Sequence, residues 1–138
     1  MAEDIIAILS GLSLFTDLTH PELEEVEHTF EEEYFSAGQR ILRQWFKGTG
    51  FYVILDGEAA VSLDGSELAR LSRGDFFGEM SLLLGEAPVA DVTATGLLHC
   101  LVLPGPALPE FLRSHPTVMF RMLQAVARRL RASNQWRS

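Results

Sequence analysis

The apolar positions along the chain change period twice, and the changes divide it into three parts. Near the start, Ile5, Ile6 and Leu9 fall on one face, which predicts a short helix over Glu3–Ser10. Thr19-His20-Pro21-Glu22 carries the marks of a second helix start. Thr19 or His20 stands at the cap, Pro21 lies in the first turn and acids follow. Leu23, Val26 and Phe30 would line its buried face. Around Thr29 the period shifts towards two.

From there to about Leu103, short strand-like runs alternate with turn signals. Ser36-Ala37-Gly38, Gly48-Thr49-Gly50, Asp56-Gly57, Asp64-Gly65 and Arg73-Gly74-Asp75 punctuate the region. Between them lie Ile41-Leu42, Phe51–Leu55, Glu58–Leu63 and Glu67–Leu71, and then Asp91–Thr95 and Leu98–Leu103. Strands spaced roughly 8–12 residues apart, with Gly and Asp turns, predict an antiparallel sandwich or jelly roll. The helical period then returns. Pro106–Arg113 predicts a short helix, and Ser114-His115-Pro116 restarts a longer one reaching about Asn134. Its apolar positions Met119, Leu123, Val126 and Leu130 form a stripe. Such a stripe can pack on the chain's own strands or make a dimer seam with a second copy.

The fold expected is therefore α+β and a single domain over 1–138. An antiparallel β-roll, or double-stranded jelly-roll barrel, spans 31–103, with N-terminal helices over 1–30 and C-terminal helices over 106–134. One segment interrupts the roll: FFGEMSLLLGEAPVADVTA, from Phe76 to Ala94. A strand-like stretch meets Gly78-Glu79, a short apolar run predicts a small helix, and Gly85 ends it. A helix N-terminus offers unpaired N–H groups and the positive end of the dipole, so it can seat an anion. Gly78 would let backbone approach a ligand closely. Glu79 would either serve that ligand or simply be a favourable first-turn acid. From Glu79 to Ala94 the segment holds no Arg or Lys.

Charge and composition narrow the function. The chain has 138 residues, enough for one core, and its 47% hydrophobic content argues against disorder. No apolar run approaches the roughly 20 residues needed to cross a bilayer, so a membrane is not an expected partner. Acids stand where a signal peptide would need bases, so the start reads as mature sequence. The single cysteine, Cys100, excludes an internal disulfide and a cysteine-rich metal site, and fits a reducing cytoplasm. The net charge is −8, with ten of nineteen acids before residue 35, and after Glu110 there are six arginines and no acids. The overall sign disfavours nucleic acid. The basic C-terminal helix reads as a solvated face, or one docking on the acidic N-terminal part.

Three stretches together resemble the cyclic-nucleotide-binding domain family, the regulatory modules of the bacterial catabolite activator, cyclic-nucleotide-dependent kinases and gated channels. They are FSAGQRILRQ (Phe35–Gln44), FYVILDGEAAV (Phe51–Val61) and LSRGDFFGEMSLLLGE (Leu71–Glu86). PALPEFLRSHPTVMFRMLQAVARRLR (Pro106–Arg131) is similar to the family's hinge and lid helices. The resemblance implies a phosphate-binding cassette at 76–92, a ligand-controlled switch and no catalysis. It implies that Glu79 accepts a hydrogen bond from a ribose 2′-hydroxyl. It also implies that the amides of Ser81 and Val89 hold a cyclic phosphate, and that the last helix closes over the base. The implied ligand-binding set is Phe77, Gly78, Glu79, Met80, Ser81, Pro88, Val89 and Ala90. The implied ligand is cAMP or cGMP, with no other cofactor. The implied partners are an effector protein, or a homodimer through the C-terminal helix.

The sequence departs from the family at one point. The cassette ends Gly-x-Pro-Arg-(Ser/Thr/Ala)-Ala-x-Val in the family and Gly85-Glu86-Ala87-Pro88-Val89-Ala90-Asp91-Val92 here. Pro88 occupies the place of the phosphate-binding Arg, with no charge, side-chain donor or backbone N–H. A charge-assisted hydrogen bond contributes roughly 1.5–3 kcal/mol, so its loss predicts cyclic-nucleotide affinity lower by about ten- to a hundredfold. Arg40, Arg43, Arg70 or Arg73 could supply the charge from a neighbouring strand, although surface solvation is their expected role. Three readings stay open: a cassette acting through protein contacts alone, a pocket for a less anionic or neutral molecule, and a weak cyclic-nucleotide site.

Other classes find less support. A cupin-like metalloenzyme needs two or three converging histidines. Of His20, His28, His99 and His115, only His99 falls in an expected barrel strand. His99 is expected to be half-buried beside an inert core thiol, Cys100. Ser81 lies in no Gly-x-Ser-x-Gly elbow. No helix-turn-helix follows the long helix before Ser138, so the chain reads as a stand-alone or N-terminal sensor domain. Trp136 could cap a pocket or fray as a terminal aromatic.

Overall fold

A computed structural model describes residues 4–46 and 50–134. The chain begins with helices α1 (Ile5–Ser10) and α2 (His20–Thr29), followed by strands β1 (Glu31–Phe35), β2 (Arg40–Leu42), β3 (Gly50–Asp56), β4 (Ala59–Leu63), β5 (Ser66–Leu71) and β6 (Phe76–Phe77). Helix α3 (Glu79–Leu84) interrupts them before β7 (Asp91–Ala94) and β8 (Leu98–Pro104). A 3-10 turn at Gly105–Ala107 leads into α4 (Leu108–Ser114) and α5 (Pro116–Asn134).

Each boundary has a local cause. Thr19 caps α2 in a capping box: its hydroxyl accepts from the Glu22 amide, and the Glu22 carboxylate accepts from the Thr19 amide at 2.9 Å. Asp64 and Gly65 both take positive φ, at 50° and 85°, the geometry of a tight hairpin between β4 and β5. His115 ends α4, and Pro116 opens α5 where its missing N–H costs nothing.

The strands form two antiparallel sheets of four, ordered β1-β8-β3-β6 and β2-β7-β4-β5. Among the described residues pairing stays within each sheet, so the architecture is a roll of two facing sheets rather than a closed barrel. Inside the roll, Tyr52, Ile54, Phe77, Leu98 and Cys100 of the first sheet meet Leu42, Ala59, Val92 and Ala94 of the second. The opposite face of the first sheet carries Phe51, Val53, Leu55, Phe76, Leu101 and Leu103 and is covered by the helices. Burial on both faces explains why β3 is an unbroken apolar run. Phe30, just past α2, joins the layers: its ring makes edge contacts with Phe15, Phe51 and Phe111, at centroid distances of 6.4, 6.2 and 5.1 Å.

Helix α5 corrects one of the two alternatives for its apolar stripe, that of packing on the chain's own strands. The stripe Met119, Leu123, Val126 and Leu130 does not form the buried face. Met119, Leu123 and Leu130 are exposed, and only Val126 packs against the core. The inward face is displaced by one position: Val118 and Met122 are buried, Ala125 packs beside them and Arg129 continues the line. Apolar residues occupy more than one face of α5, so the period alone did not choose between them. Near its start the helix is tied to the N-terminal part. Arg121 pairs with Asp17, and buried His115 places Nε2 3.5 Å from Glu25 of α2. No described helix is long and apolar enough to cross a membrane.

Candidate functional site

The cassette begins where β6 ends. Gly78 has φ of 95°, a left-handed conformation suited to glycine. A Cβ at this position would collide with the carbonyl oxygen of Gly50 on β3. The close approach that needs a glycine is thus between two stretches of the protein's own backbone, beyond any approach of a ligand. Gly85, at φ 69°, ends α3, and the Glu86 amide donates to the Ser81 carbonyl at 3.0 Å. The chain then passes Pro88, whose carbonyl accepts from the Trp45 amide at 2.8 Å, and enters β7.

Between α3, this return segment, the second sheet and the end of α5 lies a cavity of about 640 Å3. That volume falls within the range of small-molecule sites. All eight residues singled out in the sequence, Phe77, Gly78, Glu79, Met80, Ser81, Pro88, Val89 and Ala90, line it. The rest of the wall is mainly apolar, with Leu42, Val61, Leu68, Leu71 and Val92 from the strands.

Glu79 is buried, at 6% relative exposure. Burial pushes its carboxyl above the usual carboxylate range, while the Arg129 charge and the nearby amides of Glu79 and Met80 pull it back down. Arg129 reaches this carboxylate from α5: Nη1 donates to Glu79 Oε1 at 3.0 Å and Nη2 to the Phe76 carbonyl at 2.7 Å. Its guanidinium also lies 4.3 Å from the Phe76 ring centroid. One arginine therefore fastens α5 to both β6 and Glu79, the first residue of α3.

Arg129 is the cation that sequence reasoning missed. The candidates considered there lie elsewhere. Arg40 stands 3.9 Å from Asp91, Arg43 lies over Phe46, Arg70 bonds Glu67 and Glu58, and Arg73 is exposed. None of the four lines the cavity. Arg129 is fifty positions from Glu79. The only available signal was its basic charge on the helix that the resemblance made a lid.

His99 and Cys100 are placed as expected. His99 Nε2 lies 2.9 Å from Glu32 and its ring stacks on Tyr34, while Cys100 is buried in the roll, its thiol pushed up to about 12 by desolvation. Trp136 lies outside the described residues.

The family model described as Cyclic nucleotide-binding domain matches residues 32–115. A cGMP-dependent protein kinase of Toxoplasma gondii is 30% identical over 119 residues, covering 86% of this chain and 12% of the kinase. The catabolite activator protein of Thermus thermophilus superposes with a TM-score of 0.78 at 27% identity, over 89% of this chain and 60% of that one. A regulatory subunit from Trypanosoma cruzi, described as that of a cAMP-independent protein kinase A bound to guanosine, gives 0.72 at 24% identity, over 82% of this chain and 41% of that one. The chain belongs to the cyclic-nucleotide-binding domain family, and is a regulatory module of the kind found in kinase regulatory regions and catabolite activators. It spans 12–13% of the length of the curated kinases it matches.

Proposed function

We propose that this domain is a small-molecule sensor in which tight binding of cAMP and cGMP has been weakened or lost. The observation that carries this reading is the charge inventory of the cavity wall. Pro88 stands on that wall where the family places its phosphate-binding arginine, and the only cation lining the cavity among the described residues, Arg129, is engaged by Glu79 and the Phe76 carbonyl. A cyclic phosphate entering here would need Arg129 to leave a buried carboxylate, which then stands uncompensated. The neighbour from Trypanosoma cruzi lends support: it is a cAMP-independent regulatory subunit bound to guanosine, a molecule without a phosphate. A ligand leaning on Glu79 from the cavity also touches the residue that holds Arg129, so occupancy would be communicated to α5.

A second reading, a working cAMP or cGMP receptor, is favoured by Arg129 itself, which is the one charge able to turn towards a phosphate. Calorimetric titration with both nucleotides to millimolar concentration separates the two. The expected outcome is no saturation by either nucleotide at micromolar concentration, the loss of one charge-assisted contact or more lowering affinity by about ten- to a hundredfold. Micromolar binding of either nucleotide would overturn the first reading in favour of the second.

A further inference from the structure

We infer that the turn after β2 and the mouth of the cavity form a self-association surface, on which Trp45 of each copy enters the cavity of the other across a two-fold axis. Trp45 has φ of 71° and is 69% exposed. Among the described residues the other non-glycine with positive φ is Asp64, in a hairpin turn that tolerates aspartate. A bulky side chain rarely adopts this conformation, whereas glycine takes it freely. Three hydrogen bonds hold the turn in place. The Gln44 amide donates to Asp91 at 2.7 Å, the Trp45 amide to the Pro88 carbonyl at 2.8 Å, and the Phe46 amide to the Arg43 carbonyl at 3.1 Å. The backbone thus aims an indole at solvent in a fixed direction, at a conformational cost that an exposed side chain does not offset within its own chain. Phe46 beside it is also exposed.

The neighbouring surface supplies a receptor for this anchor. Pro88, which holds the Trp45 amide, belongs to the cavity wall, so the turn and the cavity lie side by side. Around the cavity Leu68, Met80, Leu84 and Val89 are each at least half exposed. Trp45 and Phe46 alone bring about 300 Å2 of the roughly 800 Å2 that each partner buries in a stable interface, and these four extend the patch towards that size. Charge is complementary under the same exchange. Exposed Arg40 and Arg43 precede the turn, while the cavity wall carries Glu79 and Glu86 against one cation, Arg129. A two-fold axis brings each anchor to the other copy's cavity and each basic turn to the other copy's acidic wall. A surface that joins a protruding anchor, an open receptor and both signs of charge is complementary to itself. A fluid bilayer has no use for a rigidly aimed indole, and the net charge of −8 opposes anionic lipid.

Sedimentation velocity of the unmodified chain from about 1 to 200 μM tests this. A concentration-dependent dimer is expected. Trp45→Gly should weaken it at least tenfold while leaving Tm unchanged or raised, because glycine accepts the φ that tryptophan resists. Arg43→Glu should weaken it as well, and adding Glu86→Arg should recover the loss, a rescue that general destabilisation does not give. Leu123→Glu, on the exposed stripe of α5, should leave the dimer intact. A monomer at every concentration overturns the inference, and pelleting of that monomer with phosphatidylcholine–phosphatidylserine vesicles would assign the aromatic turn to lipid instead. A dimer that survives Trp45→Gly but not Leu123→Glu overturns it in favour of α5. A lower Tm for Trp45→Gly overturns the claim that the indole is held against the preference of its backbone.

Discussion

Replacing Arg129 with methionine keeps most of the apolar stem and removes the fork that fastens α5 to the cassette. Two hydrogen bonds to a charged donor are lost, at 3.0 Å to Glu79 and 2.7 Å to the Phe76 carbonyl, together with the contact over the Phe76 ring. Breaking a fully buried ion pair by removing one partner costs about 3–5 kcal/mol. Here the Arg129 side chain is 38% exposed while that of Glu79 is 8% exposed, so water can partly reach the vacated space. We therefore expect a loss of about 2 kcal/mol, a drop in Tm of about 8 °C for a domain of this size. The loss should depend on pH in a defined sense. Burial raises the Glu79 pKa in the folded state and Arg129 opposes that rise, so removing Arg129 raises it further. A carboxyl with a raised folded pKa binds its proton more tightly when folded, so stability declines as pH rises through that pKa. Arg129→Met should thus be less damaging at pH 5 than at pH 8. Urea unfolding at both values measures this, and adding Glu79→Gln should recover part of the pH 8 loss. A loss under about 0.5 kcal/mol at pH 8, or one equal at both pH values, would falsify the account of this pair.

Restoring the family's cation with Pro88→Arg should raise cAMP or cGMP affinity by about ten- to a hundredfold in calorimetry, and unchanged or lower affinity would sink the explanation by missing charge. Gly78→Ala should destabilise by about 3 kcal/mol in chemical denaturation, since φ of 95° and the Gly50 carbonyl both oppose a side chain; a cost under ~1 kcal/mol would show that the turn relaxes cheaply. Cys100, with its thiol raised to about 12 from an ordinary 9.0, should resist a disulfide reagent at pH 8 until the chain is unfolded. Because the unfolded thiol ionises first, stability should also fall between about pH 9 and 12, and a Cys100→Ala variant should show a shallower fall. Rapid labelling of the folded chain would contradict the burial.

Much of this fold could be read from local chemistry. The capping box at Thr19, the Asp64-Gly65 hairpin and the double-sided apolar run of β3 each announce themselves within a few residues. The cassette was legible as well, and the residues named from it converge on one cavity. What local chemistry did not reveal was which parts of the chain meet across the fold. The Glu79–Arg129 pair joins a six-residue helix to one fifty positions later, and neither residue's neighbours indicate the other. The same blindness affected α5, where the large apolar residues Met119, Leu123 and Leu130 are exposed. The face actually buried uses a small alanine and the stem of an arginine, which a count of large hydrophobic positions passes over.

The anchoring of α5 makes that helix a lever. Its base is held by Val118 in the core and by the Arg121–Asp17 pair, and its far contact is Arg129. Eleven positions separate Val118 from Arg129, about 16 Å at a helical rise of 1.5 Å per residue. A tilt of ~10° about that fulcrum sweeps the helix by about 3 Å at Arg129, enough to break its 3.0 Å bond to Glu79, and by more beyond it. Such a tilt leaves Val118 nearly in place but must slide Met122, Ala125 and Val126 over the core by about 1–2 Å. On the sensor reading proposed above, the output of the domain would be an angle of α5.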